Sequence, residues 1–424
     1  MIIKETKAFL LDLFKEAIAA ADPAILMAGY MPKKPKGRTV VIGLGKASGA
    51  MALAFESEWF AAGNGEVEGL IVTSKGNGKK LKNIKTIIAS HPIPDENSSI
   101  AARQMIELVS GLTKDDLVVA LISGGGSALL SLANGISADE KQAVNKALLN
   151  NGVPIAKMNC IRKHLSNVKG GRLAKLAYPA KLVSLVISDV VGNDPALVAS
   201  GPTIADETTR YDALKIIKDY QLDLPKAAIA WLNNPKSEAP KPSEKYFVNN
   251  EIHIIANANM SLKAAAKMAE QWGVKAYIIS DAIEGEASIV GFEHAELALQ
   301  ISKGNERFEK PCVILSGGET TVSLRHKGKG GRNSEYLLSL ALGIHGVDNV
   351  FALAADTDGI DGSENNAGAY ADGASVERMK KAGVLAKQYL QKNNAYSAFE
   401  AVNDLIVTGA TATNVNDFRA ILIG

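Results

Sequence analysis

Short runs of aliphatic and β-branched residues recur from position 39 onward, each ending abruptly in glycine or a small polar residue, and a stretch of helical periodicity usually follows. The runs lie at 39–42, 69–73, 86–89, 117–122, 182–187, 252–255, 276–279, 313–315 and 350–354. Unbroken apolar runs of this length suit strands buried on both faces, the condition of parallel sheets covered by helices. Their alternation with helices places the chain in the α/β class. Near the N-terminus, Phe9, Leu10, Leu13, Phe14 and Ile18 recur at helical spacing among Lys and Glu. That pattern predicts an amphipathic docking helix, not the unbroken apolar core of a signal peptide.

The chain has 424 residues, which exceeds one ordinary core and predicts two domains. The segment NNPKSEAPKPSEKY, 233–246, is polar and proline-rich and reads as a linker. The expected division is 1–240 and 241–424, both α/β with largely parallel sheets. A surface loop inside one larger domain is the competing explanation of that segment.

Composition narrows the function. Net charge is +2 with no long block of one sign, which argues against a nucleic-acid binder that neutralises phosphates. Two cysteines, Cys160 and Cys312, make no disulfide framework or zinc motif, so a reducing compartment is expected. No apolar stretch reaches the ~18 residues of a membrane helix, and a cytoplasmic location with no membrane partner follows as the expectation. The six histidines, at 91, 164, 253, 294, 326 and 345, show no metal-ligand spacing.

In open parallel sheets ligands bind beyond the carboxyl ends of the strands, so the polar residues after each run carry the chemistry. The first run leads into Gly43, Gly45 and Lys46, where glycine lets a ligand approach the backbone and lysine adds a cation. The spacing is neither a Walker A loop nor a dinucleotide fingerprint, being GxGxxxG with no ribose-binding acid after the next strand. A second turn, Ser123, Gly124, Gly125, Gly126 and Ser127, reads as a nest of N–H groups for phosphate or carboxylate. A plain tight turn would also explain the glycines in both.

Ser316, Gly317 and Gly318 repeat the Ser-Gly-Gly device in the C-terminal half, followed by Glu319. Acids gather beyond other runs: Asp189 and Asp194 in VISDVVGND, and Asp356, Asp358 and Asp361 in AADTDGID. Carboxylates near anion nests are what a magnesium–nucleotide complex requires, although turn formation would account for any single Asp. Arg332 follows two glycines and opens a helical segment, and arginine suits bidentate recognition of carboxylate or phosphate. Asn414 and Asn416 stand beside the final strand, and His91 follows a strand in SHPIPDENS.

Taken in order, GLGKASGAM, HPIPDENS, LISGGGSALL, MNCIRKHLSNVKGGRLA, ISDVVGNDPALVASGPT, LSGGET, GKGGRNSE, AADTDGIDG and TNVND resemble the class II glycerate kinases, whose C-terminal part is the MOFRL domain. The resemblance runs along nearly the whole chain. It implies two α/β domains with the active site in the cleft between them, and phosphorylation of D-glycerate by ATP with a divalent metal to give 2-phosphoglycerate. It also implies catalytic roles for Lys46 and Arg332. From the residues themselves, Mg2+ is expected to be held by carboxylates drawn from Asp189, Asp194, Glu319, Asp356 and Asp358. Nucleotide contacts are expected from the glycine turns, Ser316–Gly318, Asn414 and Asn416.

The chain departs from the family pattern twice. It reads GATATNVND where GPTGTNVND is frequent, and Ser334 stands where Gln is common. Two rival functions remain at this level, an NAD(P)H-dependent hydroxypyruvate reductase and a non-catalytic binder of sugar acid or nucleotide. A homo-oligomer is compatible with everything read from the sequence.

Overall fold

The computed structural model describes residues 5–304 and 307–424. They form two compact units, one of residues 26–255 and one that joins 5–25 to the described residues from 256 onward. Each unit is built on its own six-stranded sheet covered by helices.

In the unit 26–255 the strands are β1 (Thr39–Leu44), β2 (Glu68–Ser74), β3 (Ile84–Ala89), β4 (Leu117–Ile122), β5 (Lys181–Ile187) and β6 (Glu251–Ala256). Their order is β3-β2-β1-β4-β5-β6, and the pairs β2–β3, β1–β2, β1–β4 and β4–β5 are parallel. β1 and β4 are central and buried at every position, as expected of strands covered on both faces. On one face Val40, Ile42, Leu70, Val118 and Ala120 pack against Ala101, Ala102 and Met105 of the helix Glu96–Val109. That helix starts at a capping box, with Asp95 accepting from the Ser98 amide. A second, all-helical cluster gathers Val144, Leu148, Ile161, Ala213, Ala228 and Leu232.

The division at 255/256 differs from the expected 240/241. The proline-rich segment is tied to its own unit: Arg172 donates to the Ser237 carbonyl at 2.6 Å, and the Asp206 amide to the Pro240 carbonyl at 3.0 Å. β6 then adds a sixth strand beside β5 before the chain leaves.

In the other unit the strands are β7 (Lys275–Glu286), β8 (Cys312–Thr321), β9 (Val350–Asp356), β10 (Gly368–Asp372), β11 (Leu405–Ile406) and β12 (Asp417–Ile423), ordered β11-β10-β9-β12-β8-β7. Only β7–β8 is parallel; β8–β12, β12–β9, β9–β10 and β10–β11 are antiparallel. The expectation of largely parallel sheets is therefore corrected for this half. No helix lies between β9 and β10, and without a crossover adjacent strands can pair only antiparallel.

Alternation along β12 divides the faces. Phe418, Ala420 and Leu422 join a core with Phe9, Leu10, Leu13 and Phe14 of the helix Thr6–Ala19. Ile421 and Ile423 face the helix Arg332–Gly343 through Tyr336, Leu337 and Leu340. The N-terminal helix forms as its spacing predicts, and its apolar stripe packs with the C-terminal sheet. No helix of the described residues is long and apolar enough to cross a membrane.

Candidate active site

Because β1 and β4 are parallel neighbours, paired up to Leu44 and Ile122, the turns that follow them run side by side. They bond to each other. The Ser123 amide donates to the Leu44 carbonyl at 3.0 Å, the Lys46 amide to the Gly124 carbonyl at 2.9 Å, and the Ala47 amide to the Ser123 hydroxyl at 3.0 Å. Gly45 has φ +117°, and a Cβ there would stand 2.3 Å from the Ser123 carbonyl and hydroxyl oxygens, so only glycine fits. Gly43 lies inside β1, where a Cβ would meet Ile71 at 2.5 Å. Its role is strand packing, which corrects its placement among ligand-facing glycines.

The second turn gathers charge. A Cβ on Gly124 would fall 1.8 Å from a carboxylate oxygen of Asp189, and one on Gly125 would lie 3.2 Å from the His91 ring and 3.4 Å from the Lys46 side chain. Lys46, His91 and Asp189 thus converge on two bare glycines. Gly126 gives room to Ala199, whose Cβ would be 2.7 Å from an added one. The Ser127 and Ser200 hydroxyls are 2.7 Å apart, and the buried Lys169 ammonium donates to the Ser127 carbonyl at 2.7 Å. Asp194 is exposed and its carboxylate accepts the Ala196 amide at 2.9 Å, a local turn.

In the other unit Arg332 is a hub. Its Nε donates to Asp417 at 2.7 Å, one Nη to Glu319 at 2.9 Å and the other to Asp356 at 2.7 Å. Burial opposes its charge, but Asp417, Asp356 and Glu319 reverse that and hold the guanidinium above the usual arginine range. Asp417 is buried and also accepts from the Asn333 amide group at 2.7 Å and from Arg419 at 2.5 Å. Asp361 caps the helix, accepting the Asn333 and Ser334 amides at 2.9 and 2.8 Å and the Ser334 hydroxyl at 2.5 Å. Ser334, where the family commonly has Gln, is therefore part of that cap.

The Ser316-Gly317-Gly318 segment is not a turn. β8 runs through it because β12 pairs with it residue by residue, Arg419 opposite Ser316 and Asp417 opposite Gly318. Gly318, at φ +128°, lets β7 approach, since a Cβ would stand 2.3 Å from Ile283 backbone atoms. The backbone nest expected there does not form. Asn414 accepts the Asn416 amide at 3.1 Å, and the Asn416 carbonyl accepts from the Thr357 hydroxyl at 2.6 Å. Asn416 thus ties the last loop to the acidic one, and Asn414 braces Asn416 within its own loop.

Ala412 in that loop has φ +69°, at the position where the family pattern carries glycine. A left-handed alanine costs roughly 1–2 kcal/mol, partly offset because glycine loses more entropy on folding. Ala412→Gly should therefore stabilise the protein by about 1 kcal/mol in urea unfolding. An unchanged midpoint would show that the alanine conformation carries no strain.

Among the described residues, no group of three or more His, Cys, Asp or Glu side chains is arranged to hold a metal ion. Asp356, named in the expected metal set, accepts from Arg332 at 2.7 Å and from the Asp358 amide at 3.0 Å. Burial and then the Asp358 charge push the Asp356 carboxyl well above its usual range, against the pull of Arg332. Mg2+ commonly takes only one or two carboxylates, its other ligands being water and phosphate oxygens.

The residues that sequence reasoning left without a role are Asp417, Arg419 and Asp361 in one unit, and Lys169 and Ser200 in the other. Asp417 carried a signal, its adjacency to the Asn-Val-Asn motif. Lys169 and Ser200 meet only through tertiary packing.

Residues 9–233 match a domain of unknown function, DUF4147, and residues 312–417 match the MOFRL family. A protein of Agrobacterium vitis, provisionally named a hydroxypyruvate reductase, is 48% identical over 97% of this chain and 93% of its own. The D-glycerate 2-kinase of Thermotoga maritima is 35% identical over 98% of both chains. The crystal structure of a Thermotoga maritima glycerate kinase superposes with a TM-score of 0.90 over 99% of this chain and 100% of that one. The glycerate 2-kinase of Pyrococcus horikoshii is 38% identical over 100% of this chain and 98% of its own. With both halves matched and full-length relatives well above 30% identity, this chain belongs to the class II glycerate kinase family, with its MOFRL domain.

Proposed function

We propose that this protein transfers the γ-phosphoryl group of ATP to D-glycerate, giving 2-phosphoglycerate. The observation that carries the reading is the convergence of Lys46, His91 and Asp189 on the bare backbone of Gly124 and Gly125. Phosphoryl transfer needs positioning and charge neutralisation more than covalent chemistry, and a cation, an imidazole and a carboxylate packed on one glycine turn are suited to both. The names of the Thermotoga and Pyrococcus relatives support glycerate as the acceptor and its 2-hydroxyl as the site.

Lys46 is proposed to neutralise charge on the phosphoryl group as it moves. Asp189 and His91, which lie against Gly124 and Gly125, are proposed to orient the acceptor hydroxyl or the phosphates. Arg332 is proposed as a residue that activity requires, through the charge it sets among Asp356, Asp417 and Glu319. A divalent cation, proposed to be held by Asp356 and Asp358 together with phosphate oxygens, would spread the negative charge of the nucleotide.

The reductase reading of the Agrobacterium relative is disfavoured by the first turn. A dinucleotide pyrophosphate would need the backbone N–H groups after β1, yet those of Lys46 and Ala47 are spent on Gly124 and Ser123. Purified protein with D-glycerate, ATP and Mg2+ should release ADP only when glycerate is present, with 2-phosphoglycerate as product. NADH oxidation by hydroxypyruvate without ATP, and no ADP release, would replace this reading with the reductase.

A further inference from the structure

The unit 26–255 holds a group of cations that the proposed chemistry has not used. Lys169 is 4% exposed, and its ammonium donates to the Ser127 carbonyl at 2.7 Å and lies 3.5 Å from the Ser200 hydroxyl. Lys141, on the helix Ala138–Asn150, donates to the hydroxyl of Ser131 at 2.8 Å. Arg162, on the helix Ile155–His164, donates through Nε to Asn145 at 2.8 Å, one turn beyond Lys141. Burial and then the charges of Lys141, Arg162 and Lys163 hold the Lys169 ammonium well below the usual lysine range. Burial and Arg162 push Lys141 down to about 8.

Of the four cations only Lys163 has an acidic partner among the described residues, Asp206 at 3.3 Å. Three mutually repelling positive groups stand without a counter-charge there, which is costly in a partly desolvated site unless an anion joins them.

We propose that Lys141, Arg162 and Lys169, with the Ser131 hydroxyl, form an anion subsite beside the Ser127 end of the glycine turn, and that this subsite takes the carboxylate of the three-carbon acid substrate. The assignment rests on the kinase reading above. Asn145 fixes the Arg162 Nε and so orients the guanidinium, leaving its two terminal nitrogens as a planar pair that suits a carboxylate or a phosphate; carboxylate is the occupant because the acid substrate of the kinase reading carries one. The subsite would give the enzyme its preference for an acid over the corresponding polyol.

The test uses Arg162→Met, Arg162→Lys and Lys141→Met in the full chain, with thermal melts to check that each variant folds. KM for D-glycerate should rise about 10-fold or more in the two Met variants, on the scale of one lost charge-assisted hydrogen bond. KM for ATP should stay within about 2-fold, and Arg162→Lys should recover part of the loss. Glycerol, in which the carboxylate is replaced by a hydroxymethyl group, should be a poor acceptor for the wild type, with the preference narrowed in Arg162→Met.

Calorimetric titration of D-glycerate without nucleotide separates this proposal from the kinase reading. Binding that depends on Arg162, in a protein that releases no ADP, would keep the subsite and discard the reaction. Unchanged glycerate binding and KM in Arg162→Met would overturn the subsite. A rise in the ATP KM in place of the glycerate KM would also overturn it, by assigning the cations to nucleotide phosphate.

Discussion

Replacing Arg332 with methionine should destabilise the protein by about 3–5 kcal/mol, the usual cost of removing one partner from a buried charge pair. The Asp356 side chain is 7% exposed and would be left as an uncompensated buried carboxylate, whereas the fully buried Asp417 would keep its ion pair with Arg419. Glu319, half exposed, contributes little to that cost because water screens it. Asp356 would suffer most, since burial and the Asp358 charge already raise its pKa and Arg332 is the group that counters them. Urea unfolding measures the loss, and adding Asp356→Asn to the Arg332→Met variant should restore part of it. A change below about 1 kcal/mol would mean that the carboxylates are solvated and the hub adds little. Activity should fall with stability, so kcat/KM is to be compared only under conditions where the variant is folded.

Lys46→Ala separates chemistry from stability. Lys46 is partly exposed and follows β1 at a turn held by backbone bonds to Gly124 and Ser123, which the substitution leaves intact. The thermal midpoint should therefore hardly move, whereas kcat/KM should drop by roughly 100-fold or more, the scale of lost electrostatic stabilisation of a transition state. If kcat survives and only the ATP KM rises, Lys46 binds nucleotide without acting on the moving phosphoryl group. If both survive in folded protein, the proposed role of Lys46 ends there.

Much of the architecture was legible. All nine apolar runs read from the sequence are strands; β1 and β4 are buried throughout, as an apolar run implies, whereas β3, β6 and β7 keep exposed positions although their runs are apolar. β10 and β11 escaped. β10 is the alanine-rich GAYAD and β11 is only two residues long, and neither makes an apolar run of detectable length. The glycine turns after β1 and β4 were found for a sound reason, since clustered glycines mark close backbone approach. What approaches them was not readable. Ser123 fills the space at Gly45, whereas Asp189, His91 and Lys46 surround Gly124 and Gly125. The same residue types at 316–318 proved to be strand, because β12, about a hundred positions later in the chain, pairs with them.

The sequence by itself determined the α/β class, the number of units, the family and the identity of the residues that carry charge near the strand ends. Each of these depends on local pattern or on ordered motifs. Only the tertiary structure decided the strand directions in the second sheet, the docking of the first helix with the last strands, and which acids Arg332 holds. It alone also gathered Lys141, Arg162 and Lys169. These outcomes depend on pairings between residues far apart in the chain, and such pairings are set by how buried faces and buried charges find partners, not by the identity of the next few residues.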